Sequence, residues 1–542
     1  MNSEDFDYLF PFDQARQNQK EKVIEIVNAF ENSRFVLVQA PTGSGKSVIA
    51  YTIANWFKQK GLTSYVLTSQ KLLQEQYVDD FKSIKLNSGC KPLTAETVKS
   101  ASSYICKLNS KRTCNVGACK YDSNIKCPCE YKEKREATYQ SDFAILNYAY
   151  FLKMGEYTTK LTENNSPIDL IKQSPRYFLI CDECHNLETL LTSLCSVSIN
   201  FGDFSALGIK SPKAYSGNSD QDAIYWLSDV SIHCKKMKTL SEKTISTSQD
   251  DTKTVINESK KVDFLTNIMD QIDRVEYIVD KKLPIIINST NKLNMTYKPL
   301  SVSDLSEDLL FKFGIKVLLM SATILNKDQY CKTLGINQSD CTYIQLPCTF
   351  PVENRPIYDL GDRIGPINYN NLQEVKPKIA KVIEILLKKH GNERGIIHTP
   401  SYELTDYIME TVNSPRLFCP KGSNREKAIN DFLEDDTKSD GVLISPSLTE
   451  GLDLDGDLGK FCIIVKAPYA SLADPYIKAK MQADPAWYQL ECIRKIIQSC
   501  GRVTRSETDT SVSYLLDANI TNLFRKEIKS IPSWFYNSIK KA

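Results

Sequence analysis

Four groups of side chains in this sequence have the types and spacing to do chemistry. Ala40-Pro41-Thr42-Gly43-Ser44-Gly45-Lys46-Ser47 has phosphate-loop spacing, with Ala where the strict pattern has Gly. Small residues there let backbone N–H groups wrap phosphates, and a following helix N-terminus adds partial positive charge. Lys46 would then reach the β- and γ-phosphates, and the Ser47 hydroxyl would coordinate Mg²⁺. Asp182-Glu183-Cys184-His185 follows the apolar run "YFLIC". An acid at a strand end beside a phosphate loop supplies a second Mg²⁺ contact, so Asp182 takes that part. Glu183 is then placed to orient and deprotonate an attacking water. "IIQSCGRVTR" contributes Gln498, Arg502 and Arg505. If the helix continues, these lie on one face, where arginines can stabilise charge on a transferred phosphoryl group.

The fourth group is a run of thiols. Six of the 17 cysteines, Cys90, Cys106, Cys114, Cys119, Cys127 and Cys129, fall between positions 90 and 129. The spacing from Cys106 onward, C-x₇-C-x₄-C-x₇-C-x-C, contains no CxxC pair and fits common structural zinc sites poorly. Thiolates without histidine are compatible with an iron–sulfur cluster, with zinc or no metal as the competing readings. The stretch is too polar to make its own core, so ligation could supply its folding energy. Lysines and arginines, among them Lys107, Lys111 and Arg112, interleave with the cysteines and would suit phosphate contact.

These groups need elements to hold them. "RFVLVQAPTGSGKSVIAYTIANWF" (34–57) reads as a buried strand, a loop and a helix, and "SYVLTSQKLLQEQYVDDF" (64–81) as a second strand–helix unit. Further strand-like runs, "DFAILNYAYFL", "KVLLMSAT", "RGIIHTPS", "GVLISPSLTEG" and "FCIIVKAP", are mostly separated by helical segments. That alternation predicts an α/β fold with parallel sheets. Between about 200 and 305 the pattern changes. "DFLTNIMDQIDRVEYIV" (263–279) predicts an amphipathic helix, and the polar tract 243–261 before it an exposed loop, within a largely helical insertion.

At 542 residues two or more domains are expected, and 42% hydrophobic with 25% charged residues is a soluble composition. A formal charge of +2 neither requires nor excludes a basic groove. The N-terminus "MNSEDFDYLF" lacks a secretory pattern and the apolar runs are too short to span a membrane. A cytoplasmic or nucleoid-associated protein is expected, neither secreted nor membrane-bound, with thiols rather than disulfides. No fused nuclease segment is expected.

In order, "APTGSGKS", "TSQKLLQEQ", "DECH", "MSAT", "IIHTPSY", "SLTEGLDLDGD" and "QSCGRVTR" resemble the motifs of superfamily 2 helicases. "TFPVENRPI" after "SAT", "EGLDLDG", and cysteines before "DECH" narrow the resemblance to the XPD/DinG-like iron–sulfur DNA helicases. Cys184 departs from the Ala often found there. The resemblance implies two RecA-like parallel-sheet motor domains. The first comprises 1–89, 137–195 and 306–345, interrupted by an iron–sulfur insertion (90–136) and an arch-like helical insertion (196–305); the second is 346–542.

It implies ATP, Mg²⁺ and a 4Fe–4S cluster as cofactors, and 5′→3′ movement on single-stranded DNA by a monomeric motor that unwinds duplex. ATP would meet Arg16 and Gln19 on the adenine side, the loop from Thr42 through Gly43, Ser44 and Gly45 to Ser47, and Gly451 and Asp453 across the cleft. Ser321 and Thr323 would couple nucleotide state to domain motion. His398 would contact the nucleic-acid backbone, or equally be a core histidine. Cluster ligands would be Cys106, Cys114, Cys119 and Cys129, with Cys127 as the rival for the last and Cys90 a free thiol. The other readings are an ATP-switched nucleic-acid-binding or redox-sensing module, and a helicase acting on RNA or DNA–RNA hybrids.

Overall fold

The computed structural model describes residues 1–16, 18–41, 43–69, 71–83, 93–117, 119, 127–154, 175–248, 251–291, 293–422, 425–435, 440–446, 459–501 and 509–541. Thr42, Cys90, Gly451, Asp453, Arg502 and Arg505 lie outside these residues.

The chain first lays down β1 (Phe35–Gln39), β2 (Ser64–Thr68), β3 (Ala95–Thr97), β4 (Phe143–Asn147) and β5 (Arg176–Cys181). It then makes a separate excursion through β6 (Val197–Asn200), β7 (Ile285–Asn291) and β8 (Asn294–Pro299). β9 (Gly314–Ser321) and β10 (Cys341–Gln345) return to the first sheet, whose order is β10-β1-β9-β5-β2-β4-β3 with every pair parallel. β1, β2 and β4 are buried at every position, as helices on both faces of a parallel sheet require. Alternate residues feed two cores: Val36 and Val38 pack on one face, Phe35 and Leu37 on the other.

The topology positions the chemistry. β1, β9 and β5 are neighbours, so their C-terminal ends deliver the phosphate loop, Ser321 and Asp182-Glu183 to one edge of the sheet. The helix Lys46–Gln59 leaves that edge after β1.

A second seven-stranded parallel sheet follows. Its strands are β11 (Ile357–Asp359), β12 (Gly395–His398), β13 (Leu417–Phe418), β14 (Val442–Ser445), β15 (Phe461–Ile464), β16 (Val512–Leu515) and β17 (Ile539–Lys541), in the order β13-β14-β12-β15-β16-β11-β17. Ile396 and Ile397 again enter opposite cores. These are two RecA-like α/β folds, as expected.

The excursion departs from the sequence reading in two ways. Beside its helices Asp220–Thr247 and Thr252–Asp280 it contains an antiparallel sheet, β6-β8-β7, and Ile199, Leu227, Ile272 and Tyr297 give it a core of its own. The tract 243–261, read as a loop, is the end of one helix and the start of the next. Asp251 caps the second helix by accepting from the Lys253 and Thr254 N–H groups, and Ile245 and Val255 bury against Val262 at the hairpin tip. Sparse apolar residues, two turns apart on the second helix, are enough to pack two helices that a polar average conceals.

Candidate functional site

β1 ends at Gln39, and the Ala40 N–H donates to Ser321 O at 2.8 Å, tying the loop to the end of β9. Gly45 has φ +77°, a left-handed conformation costly for other residues, and an added Cβ would sit 2.8 Å from Gln19 Nε2. It precedes Lys46 as a helix N-cap without a side-chain hydrogen bond, so the first-turn N–H groups are left for a ligand. Gln19 is buried. Its Nε2 donates to Ser44 O at 3.4 Å and its Oε1 accepts the Arg16 N–H at 3.1 Å. Arg16, Gln19, Ser44, Leu346, Pro347 and Thr349 line a small pocket beside the loop.

Asp182 follows β5 directly and its N–H donates to Leu67 O at 2.9 Å. Three further donors hold it. Tyr77 Oη donates to Oδ2 at 2.9 Å, the Glu183 N–H to Oδ1 at 2.9 Å, and Tyr148 Oη to its main-chain carbonyl at 2.7 Å. Glu183 adopts φ +50°, unusual for a residue with a Cβ and of the kind concentrated at functional sites. Its Oε1 meets Lys46 Nζ at 3.1 Å and its Oε2 lies 3.3 Å from His185 Nδ1. Burial, then the Glu183 charge, push the Asp182 carboxyl up to about 6. Burial also opposes charge on Glu183, but Lys46 and His185 outweigh it and hold that carboxyl well below its ordinary value. The edge therefore carries one carboxylate already neutralised by Lys46 and one whose ionisation a cation would favour.

Across the cleft stands the helix Pro485–Cys500. His185 bridges the two sides: its Nδ1 is 2.8 Å from Ser321 Oγ and its Nε2 is 2.8 Å from Gln498 Nε2. Gln498 also donates to Thr323 Oγ1 at 3.3 Å, and the Thr323 N–H to Ser321 Oγ at 3.1 Å. Lys46, Glu183, Ser321, Thr323 and Gln498 thus meet in one network. The described part of the helix carrying Gln498 runs to Cys500 with Gly501 after it, and Arg502 and Arg505 lie outside the described residues. His398 is buried at the end of β12.

Several participants escaped the motif reading. Arg494 Nε donates to Thr323 O at 3.1 Å; lying four residues before Gln498, it was legible from helical spacing. Glu188 accepts from Lys480 Nζ, and from Trp487 Nε1 at 2.7 Å, and no local signal links these distant positions. Tyr77 was equally silent.

In the cysteine stretch, Ile105 and Thr113 form an antiparallel bridge, and the Cys106 N–H donates to Arg112 O at 2.9 Å. Cys106, Cys114 and Cys129 are buried and Cys119 and Cys127 half-buried. Cys114 and Cys129 Sγ are 3.6 Å apart. An added Cβ on Gly117 would lie 3.2 Å from Cys106 Sγ and 3.8 Å from Cys119 Sγ, so those two thiols close around a position only Gly fills easily. Cys127 packs against Cys119, and burial with that neighbour pushes its thiol up to about 11. Burial and Cys129 push Cys114 up to about 12. Both candidates for the last ligand therefore adjoin the group, with Cys129 at the N-cap of the helix Glu130–Gln140. Among the described residues, no set of three or more His, Cys, Asp or Glu has the geometry of a formed metal site. Arg112 is not a surface cation for nucleic acid: it is buried, with a nitrogen 3.4 Å from Thr252 Oγ1 of the helical excursion.

Two family models match the chain, the helicase C-terminal domain over residues 383–541 and the type III restriction enzyme, res subunit, over 13–197. The chain is 27% identical to the ATP-dependent DNA helicase DinG of Photobacterium profundum over 250 residues, 41% of this chain and 34% of that protein. It thus spans about a third of that relative's length. It is 22% identical to the ATP-dependent DNA helicase XPD of Sulfolobus acidocaldarius over 559 residues, 94% of this chain and 97% of that protein. A solved XPD helicase structure superimposes with a TM-score of 0.64 at 17% identity, covering 98% of this chain and 100% of that one. Seven motifs in order, the two RecA-like sheets and these matches support reading the chain as an XPD/DinG-like superfamily 2 helicase.

Proposed function

We propose that this chain is an ATP-dependent DNA helicase that moves 5′→3′ on single-stranded DNA and unwinds duplex. The observation that carries this reading is the network joining Lys46, Glu183, His185 and Gln498 across the cleft. Lys46 neutralises Glu183. A triphosphate in the loop draws the Lys46 ammonium onto its β- and γ-oxygens and frees Glu183. That carboxylate then takes a proton from the water attacking the γ-phosphorus, as the bond to the β–γ bridging oxygen breaks. Ser47 Oγ and the Asp182 carboxylate are the groups suited to hold Mg²⁺, which when bound neutralises phosphate charge. Gly451, Asp453, Arg502 and Arg505 complete the site from the second domain by resemblance.

His185 touches the edge of the first sheet, Ser321 and Gln498 at once, so a change at the phosphates is felt by the second domain. Repeated closing and opening then ratchets the domains along the strand, with the divisions given from the sequence. The thiol group fits an iron–sulfur cluster in donor chemistry: three buried and two half-buried thiols lie together in one short stretch, and burial with neighbouring thiols disfavours the Cys114 and Cys127 thiolates. Cys106, Cys114 and Cys119, with Cys129 or Cys127, would hold it, and it would staple the insertion beside the DNA path. We place the motor, a monomer, in the cytoplasm or on the nucleoid; no described helix is long and apolar enough to cross a membrane.

The test is Lys46→Ala. DNA-stimulated ATP hydrolysis should fall by a factor on the order of 10³. Turnover at the wild-type rate would contradict the assignment.

A further inference from the structure

Tyr77 lies on the helix Lys71–Ser83 and is 2% exposed, with its hydroxyl 2.9 Å from Asp182 Oδ2. Its ring meets Phe81 edge-on at 5.6 Å, and Phe81 in turn meets Tyr51 at 4.9 Å and Phe143 at 5.6 Å, also edge-on. One phenol, held by an aromatic cluster, thus touches the carboxylate that the nucleotide reading gives to the cation.

A phenol has one proton to donate and lone pairs to accept with. Its proton goes to Asp182 Oδ2. Asp182 Oδ1 is fixed independently by the Glu183 N–H at 2.9 Å. Phenylalanine would fill the same aromatic cluster, so ring packing alone does not explain a buried hydroxyl at this point.

Building on the nucleotide-site reading above, we propose that Tyr77 is a positioning residue for the divalent cation, its hydroxyl setting the Asp182 carboxylate in the orientation that receives it. It touches neither phosphate nor attacking water, so its effect is on cation demand and not on nucleotide contact.

The experiment is a Mg²⁺ titration of binding of a fluorescent ADP analogue to the full chain, repeated in EDTA. Tyr77→Phe should raise the half-saturating Mg²⁺ about tenfold, which corresponds to about 1.4 kcal/mol. Affinity in EDTA and the thermal midpoint should stay near wild type. An unchanged Mg²⁺ requirement or an equal loss in EDTA would each overturn the role. Tyr77→Met, adaptable in a core, substitutes if the Phe variant does not fold. Lys46→Ala separates the two levels. If it leaves nucleotide binding intact, or if wild type shows no Mg²⁺-dependent binding, the nucleotide-site reading fails and this proposal with it. If Lys46→Ala weakens binding while Tyr77→Phe changes nothing, only the Tyr77 role is lost.

Discussion

The phosphate-loop edge of the first sheet and the cysteine-rich insertion both gather reactive side chains, but they hold them by opposite means. At the edge, Asp182 hangs from a parallel strand buried at five of its six positions and receives donors from Tyr77 and Glu183. The scaffold exists first and the chemistry is placed on it. In the insertion a short bridged hairpin and one helix surround the thiols, and Cys106, Cys114 and Cys129 are themselves much of what is buried. There the reactive groups are the core. Substitutions at the edge should therefore damage chemistry and spare the fold, whereas substitutions in the insertion should damage ligation and local stability together.

The largest effect is expected at Glu183. Glu183→Gln removes the carboxylate that Lys46 neutralises and that would take the water's proton, so kcat should fall by about 10²–10⁴. The thermal midpoint should barely move, because the turn is held by main-chain and Asp182 contacts; a collapse in stability would erase the contrast between the two regions.

Next comes the insertion. Cys114→Ser or Cys129→Ser should strip most iron and sulfide from the purified protein and increase protease cutting in the insertion, while ADP binding persists. Cys127→Ser sharpens the comparison: if Cys129 closes the group, it should retain metal, and the reverse pattern would assign Cys127. Full metal content in every single variant would remove the basis for a thiol-built core.

Smallest is Gln498→Ala, which cuts the bridge from His185 to the second domain. A drop of about tenfold in DNA-stimulated turnover is expected, the scale of one hydrogen bond or a little more, with little change in turnover without DNA. Equal loss in both conditions would assign Gln498 to the chemistry and not to coupling.

The same contrast explains what the sequence disclosed. Phosphate-loop, acid and strand signals are local, and β1, β5 and β9 carry them in short contiguous runs, so Lys46, Ser47, Asp182 and Glu183 could be named and brought to one edge. Partners arriving from elsewhere were silent: Tyr77 reaches Asp182 across 105 positions, and Trp487 reaches Glu188 across 299. Arg494 lies within reach of helical periodicity, one turn before Gln498. The tract 243–261 misled because its few apolar residues pack only against the partner helix at the hairpin tip. The clustering of five thiols was legible, but the choice between Cys127 and Cys129 was not, since both adjoin the group.

The most direct measurement is strand displacement on two duplexes, one with a 5′ single-stranded overhang and one with a 3′ overhang, in ATP and Mg²⁺, with Lys46→Ala alongside. The account predicts that the wild-type chain separates the 5′-overhang duplex, leaves the 3′-overhang duplex paired, and loses all separation in the variant. DNA-stimulated ATP hydrolysis with neither duplex separated would contradict it and point to an ATP-driven switch.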